Sequence, residues 1–362
     1  LTDVTGVQTC ALPISPACAL VWSTYVGGAG ADRCRDIAVD GAGNVFLAGD
    51  TSSDGWATGG GDTTLGGGTD AFAARLSPEG AMVWASCLGG ASEENGFSVA
   101  LAPDGSLRVS GLTLSEGWTA GGWSTTYAGG ADGFAASLSA DGVCAWSTYL
   151  GGTGIEIASG IAVDEFGNAY VVGDTLSPGW VSGGWDEALD GSGDAFIVKL
   201  SPLGAHLWSS YAGSTAGTTR GARVRACGNG TLLATGRTQT DGWITGGWDN
   251  THNGGADGFL LKVRDVVSVP DLTGRTREEA EAALAAAGLG TGTVTEAYSP
   301  TVAAGGVAGQ TPAAGVEVPP GAAVAFTVSL GVQPVPVPNV AGMTAVAAGA
   351  ARVPVELIHA LP

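Results

Sequence analysis

Residues 20–27 read LVWSTYVG, and the phrase returns as MVWASCLG at 82–89, CAWSTYLG at 144–151 and HLWSSYAG at 206–213. Trp22, Trp84, Trp146 and Trp208 are therefore each 62 residues apart. Other markers keep the step: DAF or DGF begins at Asp70, Asp132, Asp194 and Asp257, and GWxxGG begins at Gly55, Gly117, Gly179 and Gly242. A repeat of this length is a whole supersecondary unit, which points to a propeller or a solenoid. In the second unit four strand-like runs stand at 96–102, 106–113, 132–139 and 143–150, separated by turn signals such as PDGS at Pro103 and SADG at Ser139. Four short antiparallel strands per unit, repeated radially, are the pattern of a β-propeller.

Composition agrees with an all-β chain. Glycine supplies 63 of the 362 residues, and charged residues are only 13% against about 25% in ordinary proteins. Frequent turns and few helices follow. Eleven tryptophans argue against a disordered low-complexity chain. No run approaches the roughly 18 apolar residues of a membrane-spanning helix, so no membrane insertion is expected. The net charge of −20 leaves no basic stripe for phosphates, which excludes nucleic acid as a partner.

The repeats resemble the SBBP family of bacterial propeller repeats, through IAVDEFGNAYVVG at 161–173, DAFIVKL at 194–200 and the WSTY phrase. The resemblance covers residues 15–264 and implies a propeller of four 62-residue blades, or more in an untruncated chain, with the IAVD-like strand innermost. The fourth unit departs from the pattern, with Arg225 in place of the small Ala38, Ala100 and Ala162. On this reading the fourth blade lacks its outer strand, and residues 19–26 are expected to supply it and close a ring.

After Arg264 the text changes to VPDLTGRTREEAEAALAAAGL at 269–289 and GQTPAAGVEVPPGAAVAFTVSLG at 309–331, which resembles a PASTA domain. Thr276 and Glu279 spell a capping box, Ala280, Ala283, Leu284 and Ala287 form an apolar stripe, and Gly288 is a stop signal. Strands are expected near 292–297, 306–311 and 323–330, giving a small α+β domain over 265–331. Residues 332–362 read as a linker and the start of a second, truncated copy. Residues 4–14, VTGVQTCALPI, resemble a translated sequencing adapter, so 1–14 are set aside as an artefact and a secretion signal is expected to have been lost. The family implies an extracellular, wall-associated protein whose PASTA module acts as a spacer or binds peptidoglycan.

Strand alternation places both long connections of each repeat on one face. Those at 27–33, 89–95, 151–157 and 213–220, with those at 52–70, 114–132, 176–194 and 239–257, carry sixteen acids against Arg33 and Arg220, a net of −14. They also hold Trp56, Trp118, Trp123, Trp180, Trp185, Trp243 and Trp248, readable as apolar plugs or as an aromatic platform for a ligand. Asp70, Asp132, Asp194 and Asp257 start strands, where a carboxylate either accepts loop N–H bonds or ligates Ca²⁺. The partners expected are a glycan, a peptidoglycan fragment or a cell-surface protein.

No catalytic motif is present, and Glu93, Glu94 or Asp186 would have to serve a rival reading as a polysaccharide hydrolase or lyase. With Cys10 set aside, five cysteines remain and cannot all pair, so buried free thiols are expected.

Overall fold

The computed structural model describes residues 19–335, 339, 341–344 and 346–347; the adapter-like stretch and most of the second-module start lie outside these. The chain divides between Val263 and Arg264 into two compact units.

The first unit is built of antiparallel sheets in strict chain order. Blade one holds β1 (Asp32–Val39), β2 (Val45–Thr51), β3 (Asp70–Leu76) and β4 (Met82–Leu88). Blade two holds β5 (Glu94–Leu101), β6 (Leu107–Thr113), β7 (Asp132–Leu138) and β8 (Cys144–Leu150). Blade three holds β9 (Glu156–Val163), β10 (Ala169–Thr175), β11 (Asp194–Leu200) and β12 (His206–Ala212). Blade four has three strands, β13 (Thr219–Ala226), β14 (Thr231–Thr238) and β15 (Asp257–Arg264).

Consecutive blades meet through their first strands, β1 on β5, β5 on β9 and β9 on β13, which makes these strands innermost. The central strands of blades one to three are largely buried on both faces, with Phe72, Phe134 and Phe196 fully enclosed. A glycine makes room for each ring. A Cβ on Gly49, Gly111, Gly173 or Gly236 would stand 2.5–2.8 Å from a phenylalanine ring atom and 1.8–2.0 Å from a carbonyl oxygen of the first strand. The same glycines face a bulge in that strand, seen as a register break at Cys34/Asp36, Gly96/Ser98, Ile157/Gly160 and Gly221/Arg223.

Outer strands bolt one blade to the next. Trp84 Nε1 donates to Ala140 O at 2.8 Å and Trp146 Nε1 to Pro202 O at 2.9 Å, with the indoles lying over Gly142 and Gly204 of the following turn. Trp22 does the same on blade one, donating to Pro78 O at 3.0 Å over Gly80.

The expected ring closure is not realised. Residues 19–26 form no strand and β15 has no outer neighbour, while strand packing between blades one and four is not among the substantial contacts of the described residues. Ile37 and Val39 on β1 and Leu260 on β15 are exposed as a result, because no blade covers them. The thiol expectation also needs correction: Cys87 is buried, but Cys34, Cys144 and Cys227 are free and exposed, and Cys18 lies outside the described residues. Cys34 lies on the uncovered β1, Cys144 at the open start of an outer strand and Cys227 in a turn of blade four.

The second unit contains β16 (Val267–Ser268), α1 (Arg277–Ala286), β17 (Gly290–Ala297), β18 (Val307–Thr311), β19 (Glu317–Val318) and β20 (Ala323–Ser329). β20 lies between β17, which it pairs in parallel, and β18; β16 pairs with β19. The capping box forms, with Glu279 N donating to Thr276 Oγ1 and Thr276 N to Glu279 Oε2. Ala280 and Leu284 join Val269, Leu272, Val307, Val324 and Phe326 in one core.

Candidate functional site

The bulges decide what faces the middle of the propeller. An extra residue in a strand turns its side chain out of the regular alternation. Here the repeat position of the bulge is held by Arg35, Phe97, Ser159 and Ala222, one from each innermost strand, and all four line a single central cleft of about 760 Å³. Arg220, Arg223 and Arg237 from blade four and Asp174 from β10 complete its charged lining.

Three of these arginines are held in different ways. Arg35 donates through Nε to Asp50 Oδ1, reaches Asn95 Oδ1 at 3.4 Å and lies 5.1 Å above the Phe97 ring. Arg223 donates to Ser159 O at 2.7 Å, tying blade four to blade three. Arg220 pairs with Asp174 at 3.4 Å. Burial pushes the Asp174 carboxyl up to about 6, against the opposing pull of Arg220 and Arg237. Four guanidinium groups and the Asp174 carboxylate thus line the cleft, with Arg35 already paired to Asp50 and Arg220 to Asp174.

Sequence arithmetic missed this cluster. Arg35 and Arg223 lie within strands, where their charges are lost in a balanced remainder, and the blades bring them together from 188 positions apart. The available signal was variation at a fixed phase: Arg, Phe, Ser and Ala succeed one another at the bulge position of otherwise regular repeats.

The tryptophans fall into two groups. Trp56, Trp118, Trp180 and Trp243 are half-buried, donate at 2.9–3.2 Å to Thr51, Thr113, Thr175 and Thr238, and meet Phe72, Phe134, Phe196 and Phe259 edge-on at 5.1–5.2 Å. These four plug their own loops. Trp123 stacks on His206 of the next blade at 4.1 Å. Trp185, one repeat on, meets Trp208 instead and is 51% exposed, while Trp248 is fully exposed. Among the described residues, blade four has no outer strand to receive Trp185.

The strand-starting aspartates turn inward onto their loops. Asp70 accepts from Gly66 N at 2.9 Å, Asp132 from Ala128 N at 2.9 Å, Asp194 from Asp190 N at 3.3 Å and Asp257 from Asn253 N at 2.7 Å. Burial raises the pKa of Asp70, and pushes Asp132 and Asp194 up to about 6. No group of three or more His, Cys, Asp or Glu suited to a metal occurs among the described residues. Glu94 and Glu156 are buried too, each accepting from a loop N–H and a threonine hydroxyl. The exposed charge of the loop face is accordingly smaller than its −14. Glu93 and Glu94 face opposite sides of the chain, Glu93 exposed and Glu94 enclosed, so they do not form an acid–base pair.

Comparison with known proteins agrees with both units. Residues 21–55 and 145–179 match the beta-propeller repeat family SBBP, and residues 267–330 match the PASTA domain family. The chain carries propeller repeats and a PASTA domain. A stretch of 81 residues is 41% identical to a probable serine/threonine-protein kinase PknB of Corynebacterium glutamicum, covering 22% of this chain and 12% of the kinase. The chain thus spans about an eighth of that relative. A solved gluconolactonase structure from Xanthomonas campestris aligns over 59% of this chain and 58% of its own, at 14% identity and a TM-score of 0.30, too low to carry an argument.

Proposed function

We propose that this chain is a non-catalytic binding protein of the cell surface, whose propeller cleft holds a carboxylate-bearing group of a wall fragment while its PASTA domain serves as a wall-proximal spacer. The observation that carries this reading is the convergence of one bulged residue from every blade on a cleft lined by four arginines, of which Arg35 and Arg220 are paired with carboxylates, Asp50 and Asp174. Guanidinium groups recognise carboxylates through paired, charge-assisted hydrogen bonds. The surrounding loops remain acidic, so the site favours a small anionic group presented on an otherwise neutral or cationic ligand and repels extended polyanions. A peptidoglycan fragment, with carboxylates on a glycan–peptide scaffold, has that character.

The test is calorimetric titration with soluble peptidoglycan fragments and with the same fragments carrying amidated carboxyls. Arg237→Ala should weaken binding about tenfold to a hundredfold, the usual worth of one charged hydrogen bond, without moving the melting temperature. Because Asp174 titrates near 6, binding should tighten as pH falls from 7.5 to 5, where its competing charge is lost and the ligand carboxylates persist. Equal affinity for the amidated fragments would sink the cleft as the site. The exposed Trp185 and Trp248 favour a second reading, a sugar-stacking surface on the loop face, marked by loss of binding in Trp185→Ala and Trp248→Ala instead.

A further inference from the structure

Among the described residues, blade four has an unfilled outer-strand position. In blade two the outer strand is held by its own long loop: Ser147 N donates to Ala120 O at 2.7 Å, Ala120 N to Ser147 Oγ at 3.0 Å and Tyr149 N to Ser124 O at 2.9 Å. Blade three repeats the set through Ser209, Ser182, Tyr211 and Asp186. The tyrosine hydroxyls then donate to Ser115 O and Ser177 O at 2.8 and 2.7 Å, with both rings buried. The matching positions in blade four are Thr245, Asp249 and Thr240. They line an open cavity of about 500 Å³ beside β15.

Residues Leu20–Val26 carry the groups this cavity lacks, in the same order: Trp22, Ser23, Thr24, Tyr25. In the structure Trp22 is seated on blade one, yet the pairing edge of the segment is unused and Tyr25 is 102% exposed, against 1% for Tyr149. The blade faces repeat the mismatch. Ile37 is 60% exposed, where its counterparts Val99, Ile161 and Val224 are buried against the preceding blade. Leu260 is 68% exposed, where its counterpart Ile197 is buried against the following one. Each end of the arc therefore offers what the other end lacks, and among the described residues strand packing between the two ends is not substantial.

We propose that the outer-strand position of blade four is filled by Leu20–Val26 of a second copy of this chain, whose blade one then packs on Leu260 and continues the arc. Tyr25 of that copy donates to Thr240 O, Ser23 pairs with Thr245, and Ile37 meets the apolar face of blade four. The contact is head-to-tail, joining different surfaces of the two copies.

Light scattering on the full chain tests this. A concentration-dependent rise from 35.5 kDa to at least twice that mass is expected. Tyr25→Ala, a change at a side chain free in the single copy, and Leu260→Arg should each weaken association at least tenfold while leaving the melt of the dilute protein unchanged. Tyr25→Ala keeps an intact acceptor and Leu260→Arg an intact donor strand, so mixing the two should restore a complex of twice the mass. A chain that stays at 35.5 kDa at all concentrations overturns the proposal, whether its slot is empty or filled from within. So does an assembly that survives both substitutions, or a mixture that stays monomeric.

Discussion

The Trp–Gly bolt between blades can be weighed with a single methyl group. Gly142 has φ +77, and a Cβ there would lie 2.6 Å from Trp84 Cε3. Gly105 has φ +82 and nothing within 4 Å of its Cβ position. Both alanine variants carry the left-handed backbone penalty, about 1–2 kcal/mol. Gly142→Ala must also displace the indole, an overpacking cost of about 1–3 kcal/mol, and lose the Trp84–Ala140 hydrogen bond, worth about 1 kcal/mol. It should therefore destabilise the propeller unit by about 2–4 kcal/mol more than Gly105→Ala. Urea unfolding followed by tryptophan fluorescence measures both on the same protein. Equal losses in the two variants would refute the bolt as an energetic contact, since backbone strain alone would then account for each.

Two further outcomes are expected. Asp132 and Asp194 hold their protons up to about pH 6 in the folded state, against an ordinary value of 3.8, so stability should fall as pH rises from about 4 to 6 and level off above; melts should be higher at pH 5 than at 7.5, by a margin that shrinks in Asp132→Asn with Asp194→Asn, and a maximum above pH 7 would contradict this. Residues 266–331 should fold alone, because α1 and its strands enclose their own core, and Thr276→Ala should cost about 1 kcal/mol through the lost cap; a non-cooperative melt of the segment would count against it.

The fold was legible because its signals are local. The Trp, DGF and GWxxGG markers recur in phase, and the four strands expected in the second unit agree with β5–β8 to within two residues. The capping box of α1 formed as spelled, since its two bonds join residues three positions apart. The two-residue pair β16–β19 escaped notice, because it is too short to show alternation and joins segments 50 residues apart. The plug role of Trp56, Trp118, Trp180 and Trp243 was only one of two open readings, as the choice depends on whether Phe72 and its counterparts stand within reach.

Sequence alone determined the repeat, its four-strand content, the incomplete fourth unit and the change of architecture after Arg264, for each rests on spacing along the chain. Tertiary structure decided whether the ring closes, which loop carboxylates are buried and what faces the centre. Those outcomes depend on which blade covers which face and on a bulge that reverses a side chain's direction. Arg35 and Arg223 become neighbours of one cleft only when the inner strands of the first and last blades border the same space.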